Sequence, residues 1–550
     1  MLLALAAVVA VALGAGLGSL DTSTAGQPPA SPASERAEKQ PPKDAAAKPA
    51  QKEVTLTGRV LNPDGKPLAG AKLFAGRLDE VKEVGLITSL ANSGARTTAE
   101  IGDWLRQKMR LTGEQLKEVG TSGFDGKFTV KVPAGLAANL IARAEGAGMD
   151  FLYISPERLG EEIELRLVKD NPVRSRIVDT QGKPVVGATV AVSKLDVCKD
   201  NSLDGFLADV KRGFPPTSNK NLLKSLSRES GVLSPATTDQ DGRFTIAGTG
   251  VERPVTLRVS GAGLADTEVL FLNRKDFDPK PYNEVKPVRA IGGGMGGPGT
   301  PVVYHGPDGS VVVEAEKRIR GTVTDVDTGK PRVGAKVTLV RDGLAVVLPN
   351  LSAVTNAEGK YEIRGVRKST SYAVAVDSDP ATRYLTARVR VNDTAGYEPL
   401  AADLKVKKGV LVTGKVIDLG TKEPVRGFAA IAILRGNKFV KEYPEFDTSP
   451  GAIVSPDEIV STDEGGIFRI VTIPGPVLLM AGTTTLNRYQ RPVLDPDYPQ
   501  YFTKQPASIP PVFVGYRVTR GINPSQFCKV LEIKADAETL AQDVLLELVK

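Results

Sequence analysis

Histidine is nearly missing from this chain of 550 residues; His305 is the only one. A catalytic zinc site needs several strong ligands, and a serine-hydrolase triad needs a positioned base. One histidine in the Gly- and Pro-rich stretch Tyr304-His-Gly-Pro-Asp-Gly309 builds neither. Cysteine is scarce too. Cys198 and Cys528 stand 330 positions apart, which points to two buried or free thiols rather than a disulfide, and neither sits in a metal-binding pattern. Aromatics are 5% of the chain and Trp104 is the sole tryptophan. Charge of one sign does not dominate either: 71 basic against 64 acidic residues leave +7. The basic residues are scattered and not bunched with aromatics, so no nucleic-acid footprint is present. Neither a catalytic constellation nor a cofactor motif emerges, and the chain is read as non-enzymatic.

What is present is one pattern written four times. Val54-Thr-Leu-Thr-Gly58-Arg-Val60 runs into Gly65-Lys-Pro-Leu-Ala-Gly70-Ala71, and the pattern returns at Ile177 to Gly187-Ala188, Val323 to Gly334-Ala335 and Val416 to Gly427. Each copy has a downstream partner: Ser122-Gly-Phe-Asp-Gly126-Lys-Phe128, Thr238-Asp-Gln-Asp-Gly242-Arg-Phe244, Thr355-Asn-Ala-Glu-Gly359-Lys-Tyr361 and Thr462-Asp-Glu-Gly-Gly466-Ile-Phe468. The apolar and polar residues alternate at period two around turns of Gly, Asp, Asn and Pro, which predicts short strands in a β-sandwich, with the turn glycines at positive φ and the aromatics facing a core. A unit repeated at such intervals predicts an array of small domains.

Spacing separates core from additions. The distance from Gly334 to Gly359 is 25 residues, against 39 in the fourth copy and 56 and 55 in the first two. The third copy is therefore the bare unit, and the first two carry inserts of about 30 residues in one connection. The inserts read as helical. Thr97-Thr-Ala-Glu100 fits a capping box before Ile101, Trp104, Leu105 and Met109, and Thr112 to Gln115 repeats the cap before Leu116 and Val119. In the second copy, Leu222, Leu223 and Leu226 form a shorter helical face after Asn219.

The Gly-Lys-Pro-x-x-Gly-Ala and Thr-Asp-x-x-Gly-x-Phe-x-Ile motifs resemble the carboxypeptidase regulatory-like module, a transthyretin-like sandwich, over most of residues 53–550. The resemblance implies an all-β, tandem array of four small antiparallel sandwiches, seven-stranded and mostly antiparallel, used as non-catalytic spacer, adhesion or carbohydrate-binding-like units. The expected division is a signal peptide or transmembrane anchor at 1–20, a Pro/Ala-rich stalk at 21–52, and sandwiches at 53–170 (insert about 76–120), 171–275 (insert about 195–233), 317–408 and 409–550. A Gly/Pro-rich linker at 276–316 includes Val311 to Glu314, which can return as the second sandwich's last strand.

Met1 to Leu20 carries no charge and is long enough to span a bilayer or serve as a signal peptide. No Lys or Arg precedes it, and no Cys follows to take a lipid. The stalk's six prolines interrupt a stretch with no apolar face. Together they predict an exported protein of the cell envelope, with the membrane as a partner through residues 1–20 if that segment is retained, and an envelope protein or a glycan as further partners. Arrays of this module also stand behind a membrane helix and a Pro-rich stalk in some sigma-factor fusions. The chain resembles the export half of that architecture, and Met1 inside the apolar run is compatible with a shortened start; the last strand-like run, Val544 to Leu548, makes the C-terminus look complete.

Three features suggest chemistry and have simpler readings. Asp239-Gln-Asp-Gly242 opens like a calcium loop but lacks the later ligands and falls on a repeat turn. Lys415 lies where related collagen-adhesin sandwiches form a Lys–Asn cross-link, yet the corresponding positions are Arg59, Arg176 and Thr322. Tyr489, Tyr498, Tyr501, Phe502, Phe513 and Tyr516 crowd a Pro-rich connection and are the candidate ligand contacts, since aromatic faces stack on sugars. The cluster occurs once, so at most weak polysaccharide binding in the fourth copy is expected.

Overall fold

A computed structural model of the chain describes residues 53–77, 116–133, 138–154, 160–214, 219–227, 233–285, 302–342, 345–346, 351–425, 427–434, 437–443, 459–463, 465–482 and 527–546. Four β-sandwiches follow one another along residues 53–546 and share one plan. In each, the first strand of the repeat lies at the centre of a small sheet. In the first sandwich this strand is Glu53–Leu61, whose burial alternates so that Leu56 and Val60 face inward. It pairs antiparallel with Lys127–Pro133, the strand of the second motif, and parallel with the closing strand Ile163–Arg166.

The same trio recurs as Val173–Val178 with Arg243–Ile246 and Asp308–Val312, then as Lys317–Asp325 with Lys360–Val366 and the closing pieces Leu400–Ala401 and Leu404–Val406. The fourth set is Val410–Asp418 with Ile467–Thr472 and the closing pieces Thr539–Ala541 and Val544–Leu546. A parallel neighbour requires a crossover. Here the crossover is the second sheet of the sandwich, mostly antiparallel and entirely so in the third, where it is built from Ser352–Val354, Lys336–Asp342, Ser371–Val376 and Ala387–Asn392.

Each sheet pair closes over its own apolar cluster, but the clusters differ in self-sufficiency. The third core is drawn entirely from residues 319–406. The second takes in Ile141, Met149 and Phe151 of the first sandwich, and the fourth takes in Leu385 of the third. Residues 317–408 alone are therefore expected to fold, giving a cooperative thermal transition by circular dichroism; a featureless melt would show that the neighbours are required.

Two helical expectations are corrected. Leu222–Ser227 is a strand, antiparallel to Thr189–Cys198, and Leu116–Thr121 is a strand beside Lys72–Arg77. The open sheet edge next to each offers backbone partners that a short isolated helix would lack. Asn219 caps no helix: it is buried, and its amide donates to the Phe206 carbonyl at 3.0 Å. The helix in this insert is Asp204–Lys211, whose Phe206, Leu207 and Val210 pack with Cys198, Leu272 and Tyr304. The face from Thr97 to Met109 lies outside the described residues. Part of the 276–316 stretch is sheet: Tyr304–His305 runs parallel to Thr267–Asn273, and Asp308–Val312 closes the second sandwich. Among the described residues no helix is long and apolar enough to cross a membrane, and Met1–Leu20 lies outside them.

Candidate functional site

Two features recur with functional potential, the turns at one end of each sandwich and the junctions between sandwiches. In each turn region the first-strand N–H donates to a turn-glycine carbonyl: Val60 to Gly126, Ile177 to Gly242, Val323 to Gly359 and Val416 to Gly466, at 2.8–2.9 Å. These glycines have φ between 71° and 74°. A Cβ on any of them would lie 2.4–2.7 Å from a first-strand carbonyl oxygen, so both the backbone angle and the approach demand glycine. An Asx turn shapes three of the four loops. Asp239, Asn356 and Asp463 each accept two backbone N–H groups through Oδ1. Asp239 is thereby a turn former, and no group of three or more His, Cys, Asp or Glu able to hold a metal occurs among the described residues.

A buried hydroxyl ties this turn to the second strand. Ser122, Thr238, Thr355 and Thr462 accept from the N–H of Ala71, Ala188, Ala335 and Gly427. The same hydroxyls donate back to the carbonyls of Leu68, Val185, Arg332 and Val425. This pattern corrects one alignment. Gly70, Gly187 and Gly334 are at positive φ, whereas Gly427 is not and makes the hydrogen bonds of the alanine in the other copies. The fourth copy is one residue shorter after its proline, and counting from Pro424 misplaces Gly427 by one.

Phe128, Phe244, Tyr361 and Phe468 are all buried, each opposite a small first-strand residue: Gly58, Ser175, Gly321 and Gly414. A Cβ at Gly58, Gly321 or Gly414 would sit 1.8–2.1 Å from the carbonyl oxygen of Ile163, of Ala402 or of Gln542, the last two lying between the two closing pieces, and 2.7–3.0 Å from the aromatic ring. These glycines carry the packing of the small sheet, and the motif reading passed over them although the repeated Gly58, Gly321 and Gly414 were visible.

The junctions are polar and close. Between the first two sandwiches, the Met149 N–H donates to the Gly248 carbonyl at 2.9 Å, and Arg253, 1% exposed, donates through Nη1 to the Met149 and Thr249 carbonyls. Lys224 Nζ meets Asp150 at 2.6 Å. Between the second and third, the Asp266 N–H reaches the Gly365 carbonyl and the Glu316 N–H the Gly263 carbonyl, while the Glu316 carboxylate takes Arg364 at 2.7 Å and the Gly365 N–H. Between the third and fourth, Arg383 meets Glu538 at 2.8 Å and Lys407 lies 4.5 Å over the Tyr443 ring.

Next to that last junction, burial alone pushes the Asp325 carboxyl up. Hydrogen bonds from the Tyr384 hydroxyl and from Thr328 outweigh burial and hold it below the usual range. Tyr384 in turn is pushed up to about 12, first by burial and then by Asp325.

The remaining candidate residues separate clearly. Tyr489, Tyr498, Tyr501, Phe502, Phe513 and Tyr516 lie outside the described residues. His305 packs against Phe271, with ring centroids 5.6 Å apart, and burial pushes its pKa down. Cys198 is free and buried, its thiol pushed up to about 12 chiefly by desolvation, so it is unreactive. Lys415 is half-buried and is not the lysine that is fully buried among the described residues. That residue is Lys317, 0% exposed, with Nζ 3.3 Å from Asp393 and 3.0 Å from both Thr394 Oγ1 and the Gly396 carbonyl. The signal for it was slight, since Glu-Lys-Arg-Ile-Arg reads as a solvated strand start.

Residues 318–403 match the family model of the carboxypeptidase regulatory-like domain, and the third sandwich is such a domain. No curated protein matches the chain. Among solved structures it is similar to the TIE protein of Bacillus anthracis, with 10% identity, 91% of this chain and 76% of that one covered, and a TM-score of 0.17. It is similar to a streptococcal ancillary pilin, with 11% identity, 68% and 99% covered, and a TM-score of 0.18. It is also similar to BcpA, the major pilin subunit of Bacillus cereus, with 10% identity, 69% and 99% covered, and a TM-score of 0.15.

Proposed function

We propose that this chain is an exported, non-catalytic array that extends from the cell envelope and supports surface contacts. The junctions carry the reading. Only residues 170–172, 313–316 and 407–409 separate the last strand of one sandwich from the first strand of the next, and direct hydrogen bonds cross each join. Flexible tethering of independent binding modules would instead call for linkers long enough to let each search on its own. Several groups with displaced pKa values, Tyr361, Tyr384, Asp325 and Asp393, are engaged in hydrogen bonds or ion pairs inside the third sandwich, which is consistent with a structural role for them. Export rests on the apolar segment Met1–Leu20 and the Pro-rich stretch that follows.

A periplasmic phosphatase fused after Lys52 should be active, and fractionation should place residues 53–550 outside the cytoplasm. Activity only from a cytoplasmic reporter at the same position would overturn export and with it the surface role.

A further inference from the structure

We infer that the array is a force-bearing element, with the parallel pairing of first and closing strands acting in each sandwich as a shear clamp. The inference rests on topology and goes beyond the surface role, which it does not require. In the third sandwich the first strand runs from Lys317 to Asp325, and the closing pieces run the same way, with Leu400 beside Ile319 and Val406 beside Asp325. The chain therefore enters at one end of this pair and leaves at the other. Tension along the chain drags the two strands lengthwise past each other and loads all their ladder hydrogen bonds together. Were the terminal strands antiparallel neighbours, both chain ends would emerge at the same end and the bonds would peel one at a time.

The arrangement is present in all four sandwiches. Gly58 to Leu61 lie beside Ile163 to Arg166, Arg174 to Val178 beside Asp308 to Val312, and Leu411 to Asp418 beside Thr539 to Leu546. Each ladder is extended by a further backbone bond, such as Leu167 to Leu61, Val313 to Val178 and Leu419 to Leu546. The glycines opposite the aromatics belong to the same device. Gly321 and Gly414 let the closing segment approach so closely that a Cβ would fall within 2.0 Å of the Ala402 and Gln542 carbonyl oxygens. Because the connectors between clamps are only three to six residues long, the longest of them held by the pairing of Val168–Lys169 with Ala147–Gly148, force leaving one clamp enters the next with little slack to take up. The long connections 78–115, 444–458 and 483–526 all fall, in sequence, between a first and a closing strand, off the load line.

Single-molecule pulling on the full chain tests this through direction. In a Cys198→Ala, Cys528→Ala background, handles at Glu314→Cys and Lys405→Cys load the third clamp in shear. Handles at Asp327→Cys and Lys405→Cys open the same ladder from one end. The five substituted positions, two thiols and three surface sites, lie outside the third core, and an unchanged thermal transition is checked before pulling. Rupture force should be several-fold higher in the first geometry; equal or reversed forces overturn the clamp. The unsubstituted chain, held by its termini, gives an independent readout. It should break in discrete steps, one of them releasing the roughly 300 Å that residues 317–406 span when extended. Smooth unravelling without discrete ruptures overturns the proposal as well.

Discussion

Valine at Gly321 should abolish cooperative unfolding of residues 317–408, while alanine at Gly334 should lower its denaturation midpoint only modestly and keep the transition cooperative. The two glycines differ in what they are needed for. A Cβ at Gly321 would lie 2.0 Å from the Ala402 oxygen and 3.0 Å from the Tyr361 ring, so the closing strand or the ring must move. Overpacking of this kind costs about 1–3 kcal/mol, occasionally more. Displacing the ring also breaks the Tyr361 hydroxyl bond to the Ala402 carbonyl, which leaves a buried donor unsatisfied and costs about 1–3 kcal/mol further. The sum is a large part of the roughly 5–15 kcal/mol that a domain has in total. Gly334 sits at φ 73° with nothing near its Cβ direction, so only the backbone angle resists alanine, at about 1 kcal/mol. Gly359 combines φ 71° with a 2.7 Å approach to the Val323 oxygen, and Gly359→Ala should fall between, at roughly 2 kcal/mol. Urea titrations of the three variants rank the costs. If Gly334→Ala proves as damaging as Gly321→Val, close approach of the closing strand is not what holds the small sheet together.

The fold was legible because its punctuation is local. The turn glycines Gly126, Gly242, Gly359 and Gly466 and the alternation around Phe128, Phe244, Tyr361 and Phe468 encode a hairpin-like unit within a few residues, and repetition removed the ambiguity of any single copy. The parallel closing strand was harder, because nothing in Ile163-Glu-Leu-Arg says that it will lie beside Gly58 rather than an edge of the other sheet. Leu222, Leu223 and Leu226 misled for a related reason. Their spacing suits a helix face, but Leu195 and Val197 of a neighbouring strand offered a ladder, and tertiary pairing overrode local pattern. Gly427 failed by counting: one residue dropped after Pro424 is invisible until the hydrogen bonds of Thr462 show which backbone group occupies the strand start.

The junctions were the least legible part. Arg253, Glu316 and Arg383 are ordinary charged residues in sequence, and their partners Met149, Gly365 and Glu538 lie 104, 49 and 155 positions away. Burial of a charge is a property of the assembled surface, which no window of sequence contains. The aromatic cluster from Tyr489 to Tyr516 shows the converse: conspicuous in sequence, it lies outside the described residues and remains an expectation.

Lys317 carries the other large effect. Its ammonium is fully buried against Asp393, Thr394 and Gly396, and Asp393 is shared with Lys368 at 2.7 Å. Burial by itself raises the Asp393 carboxyl, but the hydrogen bonds from Lys368 and Lys317 prevail and hold it below its usual range. An acid kept anionic by two ammonium groups is an ion-pair partner, and it resists the loss of water that an amide cross-link to Lys317 would require.

Asp393→Asn strands the buried Lys317 ammonium and should cost about 3–5 kcal/mol, whereas Lys317→Ala leaves Asp393 with Lys368 but empties the space of a buried stem and should cost about 2–5 kcal/mol. Lys317→Met keeps the aliphatic stem and leaves Asp393 with Lys368, so it should recover at least half of the alanine loss. The pH dependence follows from the direction of the shift. A carboxyl depressed in the folded state contributes stability that is present above its unfolded value, near 4, and is lost as the pH falls through the lower folded value. Asp325 and Asp379 are depressed in the same sandwich, burial again opposing and hydrogen bonds prevailing, so three groups should titrate together. The urea midpoint of residues 317–408 should therefore fall steeply between pH 4 and lower pH, and Asp393→Asn should flatten that slope as well as lower the midpoint at pH 7. A variant that loses stability at pH 7 but keeps the full acid slope would show that Asp393 does not exchange its proton with folding, and that the buried lysine is held by its neutral partners instead.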